Sequence, residues 1–236
     1  MTLGPRPPRW QQLGLELPLE PHFSRDDFLV SRSNAAALQM IEAWPHWPGN
    51  VLLLVGAPGS GKSHLAAIWA ARAGAEIFSG ARLAETDVAG LTALAAKPAL
   101  VVDDADALGG AEAPLFHLLN LARQEKQSLL LTARQPPDLW GLTTPDLLSR
   151  LRLAPVVELG APDDELLRAV LHKLFRDRQL LVDAPVVDYI ALHIDRSLDV
   201  ARAVVEALDQ TALARGSAIT RALARELLAD TSDDAD

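Results

Sequence analysis

Val51-Leu52-Leu53-Leu54-Val55-Gly56-Ala57-Pro58-Gly59-Ser60-Gly61-Lys62-Ser63 is the stretch on which the reading of this chain turns. The first five residues form an apolar run that suits a buried strand. The next eight match G-x-x-x-x-G-K-[ST]. A helical pattern follows, from His64 to Ala73. Strand, glycine-rich turn and helix in that order make a phosphate cradle. Glycines let backbone N–H groups close around an anion without Cβ clashes. The helix N-terminus adds partial positive charge. Lys62 can reach β- and γ-phosphates, and the Ser63 hydroxyl can ligate magnesium. Gly56, Pro58, Gly59, Ser60, Gly61, Lys62, Ser63 and His64 are therefore the candidate nucleotide contacts. The chain is expected to bind a nucleoside di- or triphosphate.

Outward from the loop, strand-like stretches at 76–78, 100–102, 128–132 and 156–159 alternate with helical patterns. That alternation predicts an α/β fold with a parallel sheet covered on both faces. Gly74 is placed to cap the first helix, and a helical region at 81–96 is expected to break near Gly90. Leu100-Val101-Val102 runs into Asp103, a carboxylate placed to hold magnesium. Asp104 follows, where a residue can orient an attacking water. Thr132 ends the next strand beside the expected γ-phosphate. Arg150, just before the last strand, can project from the domain edge toward a nucleotide on a neighbouring subunit. From Pro162 the pattern is helical only. Asp163, Pro185, Ser197 and Thr220 mark four helix starts, which implies a small all-α bundle. The expected organisation is a tail over 1–23, an αβα domain over 24–160, a helical lid over 161–230 and a disordered acidic end over 231–236.

Composition narrows the function classes. The 236 residues carry a net charge of −9, no cysteine and six histidines. Without cysteine there is no disulfide framework and no thiolate metal site. His64, His117, His172 and His193 fall in helical patterns and match no metal-ligand spacing. An acidic chain is a poor match for tight direct DNA binding, which relies on replacing phosphate counterions. Residues 1–10 are basic and proline-rich but lack the apolar run of a signal peptide. No stretch has the length of a membrane span. The expected home is the cytoplasm.

Taken together, these motifs resemble the AAA+ ATPases, and within them the replication initiator DnaA. Phe28-Leu29-Val30-Ser31-Arg32-Ser33-Asn34-Ala35 resembles the start of the DnaA-type ATPase domain. Asp103-Asp104 is similar to that family's acidic pair, and Leu131-Thr132-Ala133-Arg134-Gln135-Pro136-Pro137 to its sensor-1 strand and turn. Ser149-Arg150-Leu151 matches its arginine-finger box. The resemblance covers residues 24–230. It implies a P-loop AAA+ αβα domain followed by a lid bundle, with ADP or ATP and Mg2+ bound. On this resemblance Thr132 would serve as sensor 1, Asp104 would orient water, Ser63 and Asp103 would hold the metal, and Arg150 would be an arginine finger acting in trans.

Two departures carry meaning. Arg134-Gln135 stands where DnaA has Asp-Arg. Asp199 aligns with the sensor-2 arginine, flanked by Arg196 and Arg202 at three residues on either side, on roughly one helix face. Arg202 is taken as the candidate nucleotide contact. No counterpart of the DnaA DNA-binding domain is expected here, so the chain resembles the Hda group of regulatory inactivators of DnaA. Gln12-Leu13-Gly14-Leu15-Glu16-Leu17 resembles the peptide by which such proteins dock on the DNA polymerase sliding clamp. Gln12, Leu13, Leu15 and Leu17 are the docking residues this implies. The implied partners are DnaA and the clamp, with a second copy of the chain allowed, and neither sequence-specific DNA nor membrane. The resemblance implies negative regulation of replication initiation through DnaA-bound ATP. The alternative is an ATP-hydrolysing helicase loader or another DnaA-like remodelling ATPase.

Overall fold

The computed structural model describes residues 23–233. Gln12, Leu13, Leu15 and Leu17, expected to dock on a sliding clamp, lie outside them. Five strands form one parallel sheet: β1 Val51–Gly56, β2 Glu76–Ser79, β3 Ala99–Asp103, β4 Ser128–Ala133 and β5 Val156–Leu159, in the order β2-β3-β4-β1-β5. The helices between them are α1 Ala35–Glu42, α2 Lys62–Ala73, α3 Gly80–Ala84, α4 Val88–Ala95, α5 Glu112–Gln124 and α6 Pro145–Leu153, with a 3-10 turn at Pro137–Leu139. All strands point the same way, so every strand's C-terminal end, where loops can hold a ligand, lies on one edge of the sheet.

Period-two alternation within the strands splits the core in two. Leu53 and Val55 face α3, α4, α5 and α6, with Leu115, Leu118, Leu119 and Leu147 in the same cluster. Leu52 and Leu54 face α1 and α2, with Leu38, Ile41, Leu65 and Trp69. Trp69 is fully buried and stacks on Trp47 at 5.0 Å, with Trp44 edge-on at 6.1 Å.

The predicted helical region at 81–96 breaks at 85–87, not at Gly90. Asp87 is extended and its carboxylate accepts the Gly90 N–H at 2.8 Å. The capping residue sets the boundary, and the glycine sits inside the first turn it caps.

Beyond the sheet come α7 Asp164–Asp177, α8 Ala184–His193, α9 Leu198–Arg215 and α10 Arg221–Asp233. Asp163 caps α7 through the Leu166 N–H at 2.8 Å, and Ser197 caps α9. Gly216 closes α9 in a left-handed conformation, at φ 59°. These helices share their own apolar core, including Leu167, Leu171, Phe175, Ile190, Val205 and Leu208. The last helix continues to Asp233, past the end expected near Ala229. Among the described residues no helix is long and apolar enough to cross a membrane.

Candidate functional site

The phosphate loop links the C-terminal end of β1 to the start of α2. Gly61 is the N-cap of α2 and adopts φ 103°, which a side chain would resist. Lys62 opens the helix and is 6% exposed, its ammonium donating to the Ala57 carbonyl at 3.0 Å. Burial holds Lys62 below the ordinary lysine value, against the opposing pull of Asp104, Asp103 and Asp106. The Ser60 hydroxyl is buried and has no hydrogen-bond partner among the described residues.

Neighbouring strands bring the carboxylates to the loop. The Ser63 hydroxyl donates to Asp103 Oδ2 at 3.0 Å, and the Thr132 hydroxyl to Asp103 Oδ1 at 2.5 Å. Thr132 is fully buried, and its Oγ1 also accepts the Asp104 N–H at 2.9 Å. A strand threonine with both capacities used is a positioning element, tying β3 to β4 across the site. Asp104 sits at φ 51°, a conformation aspartate tolerates better than most residues. Its carboxylate faces Arg134, with Nη2 4.0 Å from Oδ2, and the Arg134 N–H bonds Asp106 at 3.0 Å. The cation that replaces the expected aspartate is therefore set against the carboxylate assigned to water.

The bundle closes the other side. The Gly59 carbonyl accepts the Leu198 N–H at 2.8 Å, at the first turn of α9. Gly59 has φ 68°, and a Cβ there would fall 1.9 Å from the Ser197 hydroxyl. Only glycine fits both the backbone and the approach of α9. Asp199 lies on that same first turn and pairs with Arg202 at 3.1 Å. Arg202 lines the cavity described below, which keeps it beside the loop. Arg196 does not share its helix face: Ser197 is the extended cap, so Arg196 precedes the helix and pairs with Asp164 at 2.8 Å.

Beside the loop lies a cavity of about 420 Å³, lined by Phe23, Phe28, His64, Leu166, Leu198 and Arg202 among others. Its volume suits a small ligand. The His64 ring meets Phe28 edge-on at 5.1 Å and bonds the Ser24 carbonyl at 2.8 Å. Burial pushes its pKa below the usual histidine value, so the ring is neutral near pH 7. Asn34, 3% exposed, folds the segment before α1 on itself, accepting from Ser31 N–H and donating to the Leu29 carbonyl, each at 2.8 Å. Lys173 on α7 bonds Asp27 of that segment at 2.9 Å. The residues fit a magnesium nucleotide: a glycine-formed cradle, a buried lysine, an unpartnered buried hydroxyl and a Ser–Asp oxygen pair. Magnesium takes one or two protein oxygens and keeps its waters, so the pair suffices. Among the described residues no three His, Cys, Asp or Glu side chains cluster as metal ligands.

Arg150 stands apart from all of this. It lies in the last turn of α6 over the Phe116 ring, 5.2 Å from the ring centre. It lines a recess with Arg123, Gly49, Asn50, Val51 and Pro155. Those last residues mark where β1 and β5 begin, whereas Lys62 follows where β1 ends. Six residues of strand separate the two ends, about 20 Å. Arg150 is partly exposed and pairs with no carboxylate among the described residues.

Sequence reasoning missed Glu112, the first residue of α5. It is 8% exposed and accepts from the Thr143 N–H at 2.6 Å, the Thr143 hydroxyl at 2.9 Å and the Thr144 N–H at 2.8 Å. These bonds pull its pKa down to about 2. Its partners lie some thirty residues downstream, and no local pattern announces them.

No family model matches this chain. It is 29% identical to the chromosomal replication initiator DnaA of Cereibacter sphaeroides over 255 aligned positions, covering 96% of this chain and 55% of that protein. It is 30% identical to the Nitrobacter winogradskyi DnaA over 202 positions, covering 74% of this chain and 42% of that one. The chain thus spans about half the length of these relatives. The crystal structure of domain III of Thermotoga maritima DnaA superposes with a TM-score of 0.78 at 20% identity, covering 91% of this chain and 98% of that one. The Thermotoga maritima RuvB Holliday junction branch migration motor superposes with a TM-score of 0.66 at 19% identity, covering 86% and 70%. A structure of DnaA bound to AMPPCP and single-stranded DNA has a TM-score of 0.68 at 17% identity, covering 81% and 66%. The fold is the P-loop αβα fold of domain III of DnaA, and over most of its length the chain is similar in sequence to that replication initiator.

Proposed function

We propose that this chain regulates replication initiation negatively, in the manner of the Hda group, by stimulating hydrolysis of ATP bound to DnaA. The observation that carries this reading is the position of Arg150. A guanidinium at the opposite end of β1 from its own phosphate loop is badly placed to serve its own nucleotide. Partly exposed in the lining of a recess that Arg123 also lines, it would be available to a nucleotide held by another subunit. There it would stabilise charge on the γ-phosphoryl group as water attacks phosphorus and the bond to ADP breaks, an effect of about 10³–10⁵ in rate. A surface arginine with no such role would contribute little.

In this reading the chain's own site has a different task. Gly59, Ser60, Gly61, Lys62 and Ser63 would hold the phosphates of ADP or ATP, with Ser63 and Asp103 toward Mg2+. His64 and Arg202 line the adjoining cavity, which suits the nucleoside. The bound nucleotide would join the loop to the bundle and set their mutual angle. Gln12, Leu13, Leu15 and Leu17 would dock the chain on the sliding clamp, raising the local concentration of a weak partner.

The test is R150A in an assay of DnaA-bound ATP with clamp-loaded DNA. Stimulation is expected to vanish, and hydrolysis at the wild-type rate would refute the reading. Replacing Gln12, Leu13 and Leu15 together by Ala should abolish clamp binding; if binding survives, the docking assignment is wrong.

A second reading, an ATP-hydrolysing remodeller such as a helicase loader, is favoured by the intact Lys62, Ser63, Asp103 and Thr132 set. Arg134 opposite Asp104 weighs against it. Turnover of several ATP per minute by the isolated chain, stimulated by single-stranded DNA, would favour this reading over the first.

A further inference from the structure

We propose that Glu112 is a positioning residue for Arg150: it anchors the start of α6 so that the arginine at its other end is held in one place. The proposal rests on the reading of Arg150 given above and names a residue that nothing in that reading uses.

The argument starts with what α6 lacks. Its N-cap, Thr144, makes no side-chain capping bond, and Pro145 follows it. The N–H groups of Thr143 and Thr144 are served instead from a different helix, by the carboxylate of Glu112. The charge sits near the N-terminal end of α6, where the helix dipole favours an anion. One oxygen takes the Thr143 N–H and hydroxyl, and the other takes the Thr144 N–H. Charge-assisted bonds to backbone fix a helix end in position as well as direction.

The second contact lies four residues along α5. Phe116, one turn after Glu112, carries the Arg150 guanidinium on its ring face. A single helix thus grips α6 at both ends, by a carboxylate at its start and by an aromatic ring at its last turn. Leu147 and Leu151, both fully buried, close the face between. Loss of Glu112 would leave two part-buried N–H groups unpaired and free the helix start to shift. A displacement near 1 Å at a catalytic group can cost on the order of a hundredfold in rate.

The experiment compares E112Q, E112A and R150A in the DnaA hydrolysis assay, together with amide hydrogen exchange on the purified chain without partner. Expected are a fall of about tenfold or more in maximal stimulation for E112A, a smaller fall for E112Q, which keeps one acceptor oxygen, and no change in half-saturating concentration. Exchange at Thr143, Thr144 and the first turn of α6 should quicken while the sheet stays protected. Full stimulation by E112A beside an inactive R150A would overturn the role of Glu112 and leave Arg150 standing. Wild-type stimulation by R150A would overturn both. Faster exchange throughout the sheet would make Glu112 a general stabiliser and also defeat the proposal.

Discussion

The two ends of the sheet are built on opposite plans. At the C-terminal end the functional groups bond to one another: Ser63 and Thr132 to Asp103, Thr132 to Asp104, Arg134 to Asp104 and Asp106. The bundle then covers them through Leu198 and Gly59. At the N-terminal end Arg150 has an aromatic ring beneath it and no carboxylate partner among the described residues. A site that serves its own ligand can satisfy its polar groups internally. A group proposed to serve another molecule's ligand would keep its hydrogen-bonding capacity in reserve. The contrast argues for a molecule that is self-contained at one end and incomplete at the other.

The comparison breaks most visibly if the two ends prove interchangeable. R150A should cost about 10³-fold or more in stimulated DnaA hydrolysis and leave nucleotide binding by the chain itself unchanged, measured by calorimetry. K62A should do the reverse at its own site, weakening nucleotide affinity by about 2–5 kcal/mol, roughly thirtyfold or more. If K62A abolishes stimulation while affinity is intact, the division of labour fails.

Smaller effects sharpen the picture. T132V removes a buried hydroxyl that serves both Asp103 and the Asp104 N–H. A loss of about 1–3 kcal/mol is expected, a drop of a few degrees in melting temperature. Stability equal to wild type would mean that the strand-end network is decorative. At the other end, acid titration isolates Glu112. Its folded pKa of about 2 lies below the ordinary 4.5. The stability it contributes is therefore complete above pH 4.5 and fades as the pH falls toward 2. The stability gap between wild type and E112Q should be constant near neutrality and close across that acid window. A gap that widens on acidification would contradict the bonding described.

How much of this could be read in the sequence follows from the range of each interaction. The loop, its strand and its helix announce themselves because backbone conformation, glycine placement and apolar period are local. The caps Asp163, Ser197 and Gly216 were legible for the same reason. Gly90 misled, since a glycine suggests a break and the nearer signal was Asp87, whose carboxylate bonds three residues ahead. Arg196 was placed on a helix it precedes because spacing alone cannot say where a cap ends. Glu112 was invisible: its partners, Thr143 and Thr144, lie just ahead of another helix and are brought to it only by the tertiary fold. The same holds for the bond between Gly59 and Leu198, and for the approach of Arg134 to Asp104.

That bond between the Gly59 carbonyl and the Leu198 N–H makes the bundle a lever with its fulcrum on the phosphate loop. The arm is α9, 18 residues long, or about 27 Å. A tilt of roughly 5° at the loop swings the far end of such an arm by about 2 Å. A small rearrangement among a few glycines, were one to occur, would therefore be magnified at the far end of α9.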